Sequence, residues 1–244
     1  MAAESIKEGN LVYLEYDGWI ETPGSDPQLF DTTDEERAKE ADLFDEKRTY
    51  GELPVMVGGG RLMEGLEQAL LEAKVGEEKE VVIPPDKGMG ERDPKLVELF
   101  PLREFHRQEI EPQQGMEVSI RNRKGTVTAV TAGRVRVDFN NPLAGRTLRY
   151  KFKVLKKVKA AKARIKAIIE MDYGSADDFQ IKVEKGKASI VLPDTSKVDE
   201  AWFVNKFRVV SDLREHAGLK TIHFIEEYTT PKEEAPTEEE VPEA

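Results

Sequence analysis

The chemistry open to this chain is narrow. Its 244 residues include no cysteine, which removes disulfides, thiolate catalysis and cysteine-built zinc sites and agrees with a reducing compartment. Histidine occurs only at His106, His216 and His223. None of these stands in a His-x-x-x-His or comparable ligand spacing, so no metal is expected. No Ser/His/Asp arrangement for nucleophilic attack is recognisable. Gly58-Gly59-Gly60 could cradle a phosphate, but neither a Gly-Lys-Ser/Thr ending nor a dinucleotide fingerprint accompanies it, and no cofactor is expected. Carboxylates are plentiful, and Asp31 is one of them, in Leu29-Phe30-Asp31-Thr32-Thr33. Taken alone it reads as a turn or capping residue.

A second cluster is cationic: Arg121, Arg123, Lys124, Arg134 and Arg136. It could meet RNA or acidic chains, but no aromatic residues interleave to stack on bases, and the whole chain carries a net charge of -11. A solvated sheet face is the better reading, and nucleic acid is not an expected partner. No apolar run is long enough to span a bilayer, and the start, MAAESIKEGN, lacks a secretion pattern, so a cytoplasmic, membrane-free protein is expected.

The elements along the chain follow from periodicity. Leu11 to Tyr16 alternates as a strand, with Val12, Leu14 and Tyr16 on one side; Asp17-Gly18 and the Pro23 to Pro27 stretch read as turn and loop. The polar run Thr32 to Lys39 predicts a short helix capped by Thr33 or Asp34. Pro54 to Val57 is a short strand. Leu62, Leu66, Ala69, Leu70 and Ala73 then recur with helical spacing up to Gly76. Lys79 to Ile83 is another strand, ended by Pro84-Pro85.

After Gly90 the texture changes, and charged ERDPKLVELFPLREF leads into GMEVSI, GTVTAV and GRVRVDF, three short β-rich pieces. Leu148, Tyr150 and Phe152 alternate with cations, as in a strand with one buried face. A basic linker, Lys156 to Lys162, precedes ARIKAIIEM, FQIKVE and ASIVLP, read as strands; a helix through Trp202 and Phe203 to Gly218; and a strand from Thr221 to Tyr228. Trp202 and Phe203 read as helix core, with a homodimer contact through this C-terminal unit as the minor alternative. The last residues, PKEEAPTEEEVPEA, hold too few large apolar side chains to offset ordering entropy.

In order along the chain, VYLEYDG, LFDTT, VGGGRLMEGLEQAL, VGEEKEVVIPPDKGMGERDP and NPLAGRTLRYKFKV resemble the FKBP-type peptidyl-prolyl cis-trans isomerases. The likeness is closest to SlyD-like and long archaeal members, in which a second domain interrupts the isomerase fold, and it covers roughly the first two thirds of the chain. The resemblance implies an α+β protein. Residues 1–89 and 141–158 would form an FKBP-like antiparallel half-barrel sheet around a short helix. Residues 90–140 would form an insert-in-flap chaperone domain, 159–230 a C-terminal α+β domain, and 231–244 a disordered acidic tail.

It also implies an activity needing no nucleophile. Rotation about a peptide bond faces about 18 to 20 kcal/mol because resonance gives it partial double-bond character. A dry apolar slot lowers that barrier by favouring the twisted, less polar amide. By the same resemblance Tyr16, Asp31, Met63, Met89 and Tyr150 take catalytic roles. Phe30, Leu53, Leu62 and Leu66 bind substrate, an unfolded or proline-containing polypeptide. Two departures stand out. Leu66 replaces the usual floor tryptophan. Met89 replaces a tyrosine, whose lost hydroxyl would weaken binding by roughly 0.5 to 1.5 kcal/mol. The alternative is a holdase with weak or lost isomerase activity, for which Val118, Ile120, Val127, Val130, Val135 and Val137 could leave an apolar groove on the insert, although most of them must fill its own core.

Overall fold

The computed structural model describes residues 4–229, so the acidic tail expected at 231–244 lies outside the described residues. Two units divide the chain, one ending at Val158 and the other beginning at Lys159.

The first unit is organised by one long strand, β1 (Leu11–Glu21), which runs straight through Asp17-Gly18 where the sequence reads as a turn. The reason lies in its neighbours. Its first half pairs with β3 (Leu53–Met56) and its second half with β2 (Gln28–Thr32), both antiparallel, while β9 (Thr147–Lys157) lines the opposite edge from Val12 to Glu21. Ladder bonds along the whole edge outweigh the turn preference of a single Asp-Gly pair. Strand β4 (Glu78–Ile83) adds to the far side of β9, also antiparallel.

Between β2 and β3 the chain makes an excursion carrying α1 (Glu35–Glu40), capped by Asp34 as one of the two predicted caps, whose side chain accepts the Arg37 N–H at 2.9 Å. The excursion is closed at its base, where the Gly51 N–H donates to the Thr33 carbonyl at 2.7 Å. Helix α2 (Glu64–Glu72) buries Gly65, Leu66, Ala69 and Leu70. A Cβ at Gly65 would stand 2.7 Å from Ile83 Cγ2, so glycine sets how closely helix and sheet approach. The core holds Val12, Leu14, Val55, Leu66, Leu70, Ile83, Leu148, Tyr150, Phe152 and Val154, the face that alternation assigns to β1 and β9.

The stretch after Gly90 forms a second, four-stranded sheet with order β5-β8-β7-β6. It comprises β5 (Val97–Pro101), helix α3 (Leu102–His106), β6 (Glu117–Ile120), β7 (Arg123–Thr131) and β8 (Arg134–Asp138). Strand β5 lies inside the segment that reads as merely charged. Its Phe100 is buried with Phe105, Val118, Ile120, Val127, Val135 and Val137, so five of the six valine and isoleucine positions fill the insert's own core, as expected of most of them, and Val130 stays exposed. Arg121 stacks over Phe100 at 5.5 Å, and Arg123 stacks over Phe139 at 4.0 Å while pairing with Glu98 at 2.7 Å.

Both crossings into this sheet are fastened together. The Gly145 N–H donates to the Gly90 carbonyl at 2.8 Å, the Asp93 N–H to Asn140 Oδ1 at 2.9 Å, and Arg92 pairs with Asp138. Burial alone would raise the Asp138 pKa, but hydrogen bonds from Asn140 and the charge of Arg92 outweigh it and hold the carboxyl below its usual range.

The second unit begins with α4 (Ala161–Tyr173), which corrects the strand read from ARIKAIIEM. The isoleucines bias that segment toward a strand by propensity. Ile165, Ile168, Ile169 and Asp172 are buried with the i, i+3, i+4, i+7 spacing of a helix, and Gly174 ends it in the left-handed conformation at φ 101°. The unit continues with β10 (Gln180–Glu184), β11 (Lys187–Val191), α5 (Asp194–Lys197), α6 (Glu200–Ala217) and β12 (Thr221–Ile225). β11 pairs antiparallel with β10 and parallel with β12. Trp202 is buried against Tyr173 and Phe224, each with ring centroids at 5.2 Å. Phe203, read as core, is 55% exposed, because an adjacent helical residue points about 100° away from Trp202.

Candidate active site

The long strand decides the site. Tyr16 points toward the core side of β1, and its register places Gly18 opposite Asp31 of β2 and Tyr150 of β9. A Cβ at Gly18 would lie 3.1 Å from both the Phe30 and Tyr150 rings. The absence of a side chain therefore lets two aromatic rings from flanking strands close over β1. They meet edge to face, with centroids 5.8 Å apart at 87°, and Tyr16 lies 5.7 Å from Tyr150, arrangements favoured by ring quadrupoles.

At the edge of this cluster the Tyr16 hydroxyl donates to Asp31 Oδ2 at 2.6 Å. Burial first, and then the Asp31 carboxylate, push the Tyr16 phenol well above its ordinary pKa. It stays protonated, the state in which it donates. Tyr150 is raised by the same two causes in the same order. Arg48 completes the group by pairing with the other oxygen of Asp31 and donating to the Tyr16 hydroxyl at 3.3 Å. Burial alone would favour the neutral guanidine, but Asp31 outweighs it and the net shift is upward. Arg48 was not singled out in the sequence, since a lone cation 17 residues after Asp31 carries no spacing signal.

The remaining expected residues spread from this group by degrees. Leu53, Leu62 and Met63 are half-buried around the same core as Tyr16 and Phe30, whereas Leu66 is buried within it. Met63 occupies the cap of α2, and its carbonyl accepts the N–H groups of Leu66 and Glu67, each at 3.0 Å. Met89 is 38% exposed and lies 3.9 Å from Asn141 Nδ2 through its sulfur. Among the described residues, no hydrogen bond or ring contact joins it to Tyr16 or Tyr150.

Alternation sends Asp17, Lys151 and Lys153 to the other face of the same strands. A polar cleft of about 610 Å³ opens there, lined also by Arg37, Glu78 and Tyr50. Its floor is charged, with Asp17 bound to Thr32 Oγ1 at 2.6 Å and to Arg37. Such a lining does not offer the apolar contact that a proline ring requires. Among the described residues no group of three or more His, Asp or Glu side chains is placed to hold a metal ion, and no helix is long and apolar enough to cross a membrane.

Comparison with known proteins gives the family of the chain. A family model described as FKBP-type peptidyl-prolyl cis-trans isomerase matches residues 2–114, one described as FKBP26, IF domain, matches 98–143, and one described as FKBP26 C-terminal matches 161–229. The short-type peptidyl-prolyl cis-trans isomerase of Methanocaldococcus jannaschii is 39% identical over 149 residues, which is 61% of this chain and 92% of that protein. The FKBP-type isomerase SlyD of Helicobacter pylori is 32% identical over 120 residues, 47% of this chain and 64% of its own length. The FKBP-type 16 kDa isomerase of Escherichia coli is 36% identical over 106 residues, 41% of this chain and 69% of its own. The three models cover the two-sheet first unit and the second unit in order along the chain, and the chain belongs to the FKBP-type peptidyl-prolyl cis-trans isomerase family, with the IF and C-terminal domains of its FKBP26 branch.

Proposed function

We propose that this isomerase acts on unfolded or extended chains, turning X-Pro bonds over the ring cluster of Tyr16, Phe30 and Tyr150. The observation that carries the reading is the 2.6 Å bond from Tyr16 to Asp31 at the rim of those rings. The proline ring packs on the aromatic surfaces, with Leu53, Leu62 and Met63 around it and Leu66 beneath. As the amide twists it loses resonance and polarity, so an apolar surround favours it over the planar ground state. Asp31, held by Tyr16 and Arg48, places one fixed carboxylate beside the rotating group without solvent reorganisation. The N–H of Met63, at the start of α2, is the donor offered to a substrate carbonyl. Met89, which lacks a hydroxyl, offers a bound chain van der Waals contact alone.

Capture of extended chain belongs to the insert in this reading. Leu99, Met116 and Val130 remain exposed on it after its own core is filled, and a captured segment raises the effective concentration of its prolines at the site. In the C-terminal unit, Phe203, Val204 and Phe207 form an exposed apolar side of α6, which supports self-association through that helix. Sedimentation equilibrium that finds only monomer would remove this last part.

The test of the whole is exchange NMR on a short X-Pro peptide with the full chain at micromolar concentration. Acceleration of cis/trans exchange is expected. No acceleration, with suppression of aggregation retained, would leave the holdase reading in its place.

A further inference from the structure

The excursion between β2 and β3 carries a feature that the catalytic group does not use. Phe44 is 40% exposed, yet it is stacked on Tyr50 with centroids 5.5 Å apart and planes at 14°. Lys39 Nζ lies over Phe44 at 4.8 Å, and the Arg48 guanidinium lies over Tyr50 at 5.4 Å. The order is therefore Lys39, Phe44, Tyr50, Arg48, with cations at both ends of an aromatic pair. The last layer is the same guanidinium that binds Asp31 and the Tyr16 hydroxyl.

Tyr50 is itself fixed. Its hydroxyl accepts the Asp45 N–H at 2.9 Å and donates to the Leu43 carbonyl at 3.4 Å, while the Arg48 N–H donates to the Asp45 carbonyl at 3.1 Å. Backbone and ring thus define where Arg48 begins and over what it lies. A half-exposed arginine without such a floor distributes over many rotamers.

We infer that Tyr50, backed by Phe44, is a positioning residue for catalysis: it holds the Arg48 guanidinium on Asp31 and so fixes the carboxylate beside the rotating amide. The inference rests on the proposed role of Asp31. Neither ring touches substrate, and their effect passes through Arg48 alone.

A double-mutant cycle reads this directly. Tyr50→Leu keeps bulk but removes the π face. An exposed cation–π contact corresponds to about a two- to fivefold change. The kcat/KM for a short X-Pro peptide should fall by about that factor in the wild-type background. It should fall no further when Arg48 is already Met, and Tyr50→Phe, which retains the ring, should restore most of the loss. Phe44→Leu should give a smaller loss with the same dependence on Arg48, and serves if Tyr50→Leu folds poorly. An equal loss from Tyr50→Leu in both backgrounds, or an Arg48→Met variant as active as wild type, overturns the inference while leaving the isomerase site intact. An inactive wild-type protein overturns the site reading itself.

Discussion

Replacing Asp31 by alanine is expected to lower kcat/KM for a short X-Pro peptide by one to two orders of magnitude and to leave the melting temperature nearly unchanged. Two donors converge on this carboxylate, Tyr16 at 2.6 Å and Arg48. Hydrogen bonds to a charged group contribute roughly 1.5 to 3 kcal/mol, and each ~1.4 kcal/mol lost from the transition state alone is about tenfold in rate. Stability is affected far less, because the charged pair keeps access to water and the Tyr16 hydroxyl still accepts from Arg48. The Arg48 side chain is 36% exposed and that of Asp31 25%, so solvent can take up the released guanidinium. Asp31→Asn keeps an acceptor for Tyr16 but no charge, and should fall between wild type and Asp31→Ala. Exchange NMR on the three proteins, with thermal melts as control, decides the matter. An Asp31→Ala enzyme within twofold of wild type would show that the aromatic walls act alone. Suppression of aggregation by the same variant should be untouched, since the exposed apolar residues assigned to chain capture lie on the insert.

The residues of the candidate site were named from the resemblance, and alternation alone placed only Tyr16 and Tyr150. Tyr16, Phe30, Asp31 and Tyr150 each fall within a strand, and period-two alternation already put Tyr16 beside Val12 and Leu14 and put Tyr150 between Leu148 and Phe152. Arg48 was hidden because nothing periodic links it to Asp31. It returns only because the chain closes between Thr33 and Gly51, a contact between backbone groups that leaves no mark on residue type. Elsewhere local preference misled. Asp17-Gly18 has turn chemistry but lies in β1, since a glycine was needed where the Phe30 and Tyr150 rings close. The isoleucines of α4 have strand propensity but helical spacing, and Gly174 was the stop signal that could have decided between them. Strand β5 was obscured by the charges and prolines around it, although Phe100 and Pro101 mark its end.

The insert and the catalytic sheet should also be separable by a single substitution. Gly125 lies in β7 opposite Val118 of β6. A Cβ there would stand 2.7 Å from the Phe139 ring, 2.8 Å from the Asp138 carbonyl oxygen and 2.8 Å from Val137 Cγ1. A side chain could swing away, but a ladder carbonyl cannot move without shifting β8. Overpacking of this kind costs about 1 to 3 kcal/mol, and more for a branched residue. The insert has little to set against it, because its core of buried residues is only Phe100, Phe105, Val118, Ile120, Val127, Val135 and Val137, and small cores are marginal. Gly125→Val is therefore expected to unfold the insert while the five-stranded sheet, whose own core runs from Ile6 to Val154, stays folded. Amide exchange should become fast across β5 to β8 and remain slow in β1 and β9. Suppression of aggregation should be lost, whereas isomerisation of a short peptide should stay within about threefold of wild type, since the price is confined to contacts of ~0.5 kcal/mol such as those of Met89. If short-peptide catalysis disappears along with chain capture, the insert is part of the catalytic surface and the division of labour between the two sheets fails.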